Sequence, residues 1–189
     1  MNTKTLLLAI IAMVFTCSIK TYAQSQGSEK KILIAYYSLR DGNTRIVAEQ
    51  IQKNVGGDIF RIETVNAYPA VYREVTDQAK KELESGYRPP LKNEVPDFSQ
   101  YDIIYLGSPN WWNTIAPAVM TFLESYNFDG KTIVPFITHE GSRLGASVND
   151  IKKLALKATV LKGLPIRGGA VNDAMPDVQQ WLKELGMIK

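Results

Sequence analysis

Cysteine is almost missing from this chain. Its 189 residues include one, Cys17, together with a single histidine, His139. One thiol closes no intrachain disulfide, and no His/Cys spacing of the kind that holds zinc can be drawn, so no metal is expected. The Gly-x-Ser-x-Gly elbow is also absent, which leaves Ser38, Ser108 and Ser142 without the signature of an activated nucleophile. No stripe of basic residues interleaved with aromatics runs through the chain, so nucleic acid is not an expected partner. The long apolar run, Thr5 to Phe15, falls short of the ~20 residues that span a bilayer, and no membrane span is predicted.

That run has a different reading. Met1-Asn2-Thr3-Lys4 gives it a positive start and Thr21-Tyr22-Ala23 a small-residue end, the pattern of a secretory signal peptide over 1–23 cut after Ala23. Export, with a periplasmic destination, is the expectation. Cleavage before Cys17 would instead leave a lipid anchor, but Val14-Phe15-Thr16 matches that processing site poorly. Cleavage after Ala23 removes Lys4 and Lys20 and no acid, leaving 20 basic and 19 acidic residues. The exported chain would hold no cysteine, so thiol chemistry is excluded and stability must come from its core. Residues 24–30 read as a polar linker, and 31–189 as one domain.

Within 31–189, short apolar runs alternate with helical patterns. Strands are predicted at 32–37, 58–64, 101–107, 132–137 and 159–166, and helices at about 43–55, 71–85, 116–126, 146–156 and 176–185. Runs such as Ile32-Leu33-Ile34-Ala35-Tyr36-Tyr37 are apolar throughout, as strands buried on both faces are. The 58–64 run mixes in charges and suits an edge. Five strands alternating with helices predict an α/β fold, a parallel sheet covered by helices on both faces.

Three unusual loops leave the carboxyl ends of strands, where ligands bind in such sheets. Ser38 to Thr44 joins a strand to a helix N-terminus, whose free N–H groups and dipole favour an anion. An ordinary turn capped by Asn43 or Thr44 would look the same. Ser108-Pro109-Asn110-Trp111-Trp112-Asn113 carries two adjacent tryptophans, one of which suits the core and the other a flat, π-rich ligand. Thr138-His139-Glu140-Gly141-Ser142 holds the histidine, and Gly141 and Gly145 would let backbone N–H groups approach a ligand. With no nucleophile and no metal spacing, a cofactor has to carry any difficult chemistry.

In this order the segments Tyr37-Ser38…Gly42-Asn43-Thr44, Gly107-Ser108-Pro109-Asn110-Trp111-Trp112, Phe122-Leu123-Glu124, Phe128-Asp129-Gly130-Lys131 and Pro135-Phe136…Gly141-Ser142…Gly145 resemble the flavodoxin family, near its members with a Pro-x-Trp-Trp third loop. The resemblance covers nearly all of 31–189. It implies a doubly wound five-stranded parallel sheet of order 2-1-3-4-5 and a noncovalent FMN. It further implies that Ser38, Arg40, Gly42, Asn43 and Thr44 hold the phosphate. Ser108, Pro109, Asn110, Trp111 and Trp112 would border the isoalloxazine on one side, and Thr138, His139, Glu140 and Gly141 on the other. One departure stands out: Leu39 and Asp41 occupy positions where relatives carry hydroxyls, and Asp41 puts an acid beside an expected dianion that Arg40 could offset.

The function implied is an exported FMN-dependent oxidoreductase, with flavin N5 as the reacting atom and His139 as a tuner. It would pass electrons to a small acceptor such as a quinone, or to a redox protein. The near-neutral exported charge offers little steering toward a charged protein partner and favours the small acceptor. The competing expectation is a flavodoxin-fold binding module that has lost FMN and takes another phosphorylated or aromatic ligand.

Overall fold

The computed structural model describes residues 30–39 and 42–189. The expected signal peptide, Cys17, most of the linker, Arg40 and Asp41 lie outside the described residues.

Strand β1 (Ile32–Tyr37) runs inside the sheet, one place in from its edge, and feeds α1 (Asn43–Val55). β2 (Asp58–Ile62) and α2 (Tyr72–Ser85) follow, then β3 (Ile103–Trp111), β4 (Thr114–Ile115) and α3 (Pro117–Ser125). β5 (Thr132–His139), α4 (Ser147–Leu154), β6 (Thr159–Val160), β7 (Leu164–Arg167) and α5 (Met175–Glu184) complete the order. The sheet reads β2-β1-β3-β5-β6, with β7 also on β5 and β4 folded back on β3. All pairings are parallel except β3–β4.

Side chains alternate across a strand, so β1 feeds two cores. Leu33, Ala35 and Tyr37 pack with Val119, Phe122 and Ile151 on the side of α3 and α4. Ile34 and Tyr36 pack with Val47, Ile51, Val178 and Trp181 on the side of α1 and α5. Both faces are therefore covered, which explains why β1, β3 and β5 are apolar throughout. β2 is the exposed edge, and segment 90–92 shields it: Thr64 bridges Leu91, Val65 N–H bonds Pro90 O at 2.9 Å and Lys92 N–H bonds Glu63 O at 2.8 Å. Among the described residues no helix is long and apolar enough to cross a membrane.

The expected five single strands in the order 2-1-3-4-5 need two corrections. First, Ser108–Trp111 is not loop but the continuation of β3: β5 pairs with Ser108 and Pro109, and β4 with the rest, Trp111 opposite Thr114 and Asn110 opposite Ile115. Second, the strand expected at 159–166 is two pieces. β6 pairs with Thr132–Ile133 and β7 with Phe136–His139. The gap falls opposite Val134 and Pro135, and a proline has no N–H to give a ladder. At the break Gly163 packs closely on α4 and the loop before it, with room for a β-carbon only 3.1 Å from Val148 and 3.2 Å from Leu144.

Candidate functional site

The chain leaves β1 toward β2 on one side and later returns to β3 on the other, so the winding switches between the carboxyl ends of β1 and β3. Three segments meet around this point: the β1–α1 turn, the β3–β4 hairpin and the β5–α4 loop.

At the β1–α1 turn Ser38 is buried and Gly42 is the N-cap of α1, extended at φ −85°, ψ −164°. Gly42 has no side chain with which to cap this helix, and among the described residues no acid stands in its first turn. Its leading N–H groups have no intrahelical partner, so the helix end keeps its partial positive charge. Thr44 faces inward, 1% exposed, and its hydroxyl pairs with that of Thr138 at 2.8 Å. This bond ties the first turn of α1 to the end of β5. Anion contact from Thr44 therefore falls first to its backbone N–H. Beside it, a β-carbon at Gly168 would lie 2.1 Å from Glu140 Oε1 and 2.4 Å from Asn43 Nδ2. Gly168 thus makes the space in which the Glu140 carboxylate and the Asn43 amide meet.

The hairpin presents the tryptophans in different ways. Trp111 is half-buried, edge-on to Tyr68 at 5.1 Å and Tyr37 at 5.6 Å. Tyr68 donates its hydroxyl to the buried Glu82, whose other oxygen accepts from Gln78. Burial first, then Glu82, pushes the Tyr68 and Tyr37 hydroxyls far above their ordinary pKa, so both stay protonated. Trp112 is 53% exposed. It and Asn113 form a two-residue turn with positive φ at both, 49° and 70°, the type I′ geometry. Such a φ is rare for a bulky residue and must be imposed from outside. The Trp112 indole N–H donates to Thr76 O at 2.9 Å, and Ala146 N–H bonds Asn113 O at 2.7 Å. Ser108 is fully buried: its hydroxyl donates to Pro109 O and accepts from Ala116 N–H, so it braces the hairpin and does not face a ligand.

The β5–α4 loop packs on the hairpin. Asn110 Nδ2 donates to Arg143 O at 3.1 Å, and Gly145, at φ 49°, lets its backbone pass where a β-carbon would sit 2.5 Å from Asn113 O. The N–H groups of Gly141 and Gly145, expected to meet a ligand, are engaged within the loop by His139 Nδ1 and Ser142 O. Because Nδ1 accepts, the neutral His139 carries its proton on Nε2. Burial first, then Arg143, holds this imidazole below its ordinary pKa; Arg167 adds to the effect and Glu140 opposes it. The neutral form is therefore favoured by folding. Its contribution to stability is present above the ordinary value of about 6.5 and is lost as pH falls through the lower folded value. Proton NMR of the sole histidine is expected to give a midpoint below 6.5, with the Gly141 amide shifting in step as Nδ1 takes up its proton. A midpoint at or above that value would remove the assigned tautomer and its bond.

The structure thus gathers Ser38, Gly42, Asn43, Thr44, Thr138, His139, Glu140 and Gly141 around the α1 N-terminus, and Pro109 to Trp112 on the neighbouring hairpin. Sequence reasoning missed Tyr37, Tyr68, Arg167 and Gly168. Two signals were available: Tyr68-Pro69 before α2, and Gly168-Gly169 directly after the last strand.

A parallel α/β sheet with a helix N-terminus and an aromatic hairpin at its switch point is the doubly wound class of fold. The flavodoxin family profile matches residues 31–185, and the chain belongs to the flavodoxin family. Solved structures agree. A Bacteroides eggerthii protein assigned to the flavoproteins is 27% identical, with 84% of this chain and 99% of that chain covered and a TM-score of 0.73. A Bacteroides uniformis protein assigned likewise is 28% identical, with 82% and 98% covered and a TM-score of 0.72. A Lactobacillus acidophilus flavoprotein solved in complex with FMN is 24% identical, with 78% and 99% covered and a TM-score of 0.63. No functionally curated protein matches the chain.

Proposed function

We propose that this protein binds FMN and works as an oxidoreductase, passing electrons to a small acceptor such as a quinone. The observation that carries the proposal is the N-terminus of α1. Its N-cap, Gly42, brings no side chain to it, its first turn, Asn43 onward, holds no acid among the described residues, and it opens beside a hairpin that holds an exposed indole. These features fit the two ends of FMN, an anionic phosphate and a flat ring.

In this reading the backbone N–H groups of Asn43 and Thr44 hold the phosphate, with Gly42 keeping the turn tight. A β-carbon at Gly42 would fall 2.9 Å from Leu39 O. The Thr44–Thr138 bond keeps the helix end in register with β5. Trp111 and Trp112 wall the ring, and the His139 Nε2–H donor with Arg143 and Arg167 supplies a positive flank. When bound, the flavin supplies reversible electron and hydride transfer; the chain supplies position and polarity. We place the protein outside the cytoplasm, on the strength of residues 1–23.

One observation favours the second reading, a binding module without FMN: the Glu140 carboxylate already lies beside Asn43. Purified protein separates the two. The first expects flavin absorbance, or a stoichiometric rise in thermal stability on adding FMN. A colourless protein indifferent to added FMN leaves the second.

A further inference from the structure

A slot of about 340 Å³ opens on the far side of the hairpin from the β5–α4 loop. Its rim is Tyr72 and Trp112, 77% and 53% exposed, and Leu39, Val75, Ala79 and Trp111 line its depth. Exposed rings of this size are usually free to move, but Trp112 is not. Its backbone is held at positive φ, its indole N–H is tied to Thr76 O, and the Lys80 ammonium lies 5.1 Å from its ring centre. An exposed aromatic fixed in advance, sharing the rim of an apolar slot with a second exposed aromatic, is a preorganised seat for a flat ring.

We propose that this slot is the docking site of the electron acceptor, and that the acceptor is a quinone. The proposal rests on the flavin reading above. The slot shares Asn110, Trp111 and Trp112 with the candidate flavin wall, so an occupant sits next to the ring that would reduce it. Two exposed rings over an apolar depth suit a flat, uncharged acceptor, and a quinone is one. Because the indole wall would stand between the two rings, a quinone held here would take two electrons, one at a time, from a reduced flavin, and two protons from water, leaving as the hydroquinone while the reoxidised flavin returns its own two protons to water.

Menadione, a small naphthoquinone, tests this by quenching of tryptophan fluorescence in the full protein, with and without FMN. Tyr72→Ala, at a surface position, is expected to weaken menadione about three- to tenfold, the worth of one aromatic stack. Thr76→Trp, which fills the slot from the helix, is expected to abolish binding. FMN affinity and melting temperature should stay unchanged in both. A parallel loss of FMN affinity would make the slot the flavin's own seat and overturn the proposal, as would menadione binding indifferent to both changes. Tyr72-dependent menadione binding in a protein that takes no FMN would instead keep the slot and overturn the flavin reading.

Discussion

Gly107→Ala is expected to lower the melting temperature by about 6–12 °C, from an overpacking cost of about 3 kcal/mol spread over a domain of this size. Gly107 lies in β3, paired with Tyr36 of β1 and Phe136 of β5. A β-carbon there would fall 2.2 Å from Phe136 Cζ, 2.4 Å from its Cε2 and 2.9 Å from Tyr36 Cβ. The Phe136 ring is fully buried between the sheet and the α1–α5 layer, so it has nowhere to turn. The absent side chain is what lets that ring lie across the sheet just below the ligand loops. Adding Phe136→Leu to Gly107→Ala should recover part of the loss, by removing the atoms the new carbon meets. Differential scanning calorimetry checks both. A single-variant shift under about 2 °C would mean that the ring relaxes freely and that the core is less tightly packed than its burial implies.

The sheet was legible in the sequence wherever burial is two-sided. Ile32–Tyr37, Ile103–Leu106 and Ile133–Ile137 are apolar runs because helices cover both faces, and that pattern survives in one dimension. The amphipathic face of α5, with Val178, Trp181 and Leu182 inward, was legible for the same reason. The hairpin was not. A two-residue I′ turn announces itself through Asn-Gly or Asp-Gly, and here the first position is Trp112. What holds it there is distant: Thr76 on α2, and Gly145 and Ala146 before α4. Ser108 looked like a ligand residue beside the tryptophans, but its strand position turns it into the core. Asn43 opens α1, and its neighbours Glu140 and Gly168 follow the ends of β5 and β7, so only the tertiary fold brings the three together. No local pattern encodes such a meeting.

That meeting sets up the sharpest test of the phosphate end. Asn43→Asp changes charge and almost nothing of shape, at the first residue of α1. Without FMN the effect on stability should be small. An acid in the first turn gains about 0.3–1 kcal/mol from the helix dipole, and repulsion from Glu140 takes some of it back. With FMN the effect should be large and of the opposite sign. Two like charges about 4 Å apart repel by about 4 kcal/mol at an effective dielectric of 20, and salt screening at an open site trims this. A loss of FMN affinity of about a hundredfold is therefore expected by fluorescence titration, larger at low ionic strength than at high. Glu140→Gln works in the other direction, removing a carboxylate that already leans on Asn43, and should tighten FMN about fivefold and partly rescue Asn43→Asp. Because the two side chains are neighbours, their effects should not add, and the double variant measures the coupling directly. Stability that holds while affinity collapses would mark the α1 N-terminus as the phosphate seat. Affinity that ignores Asn43→Asp would move the phosphate elsewhere and leave Glu140 as an ordinary surface acid.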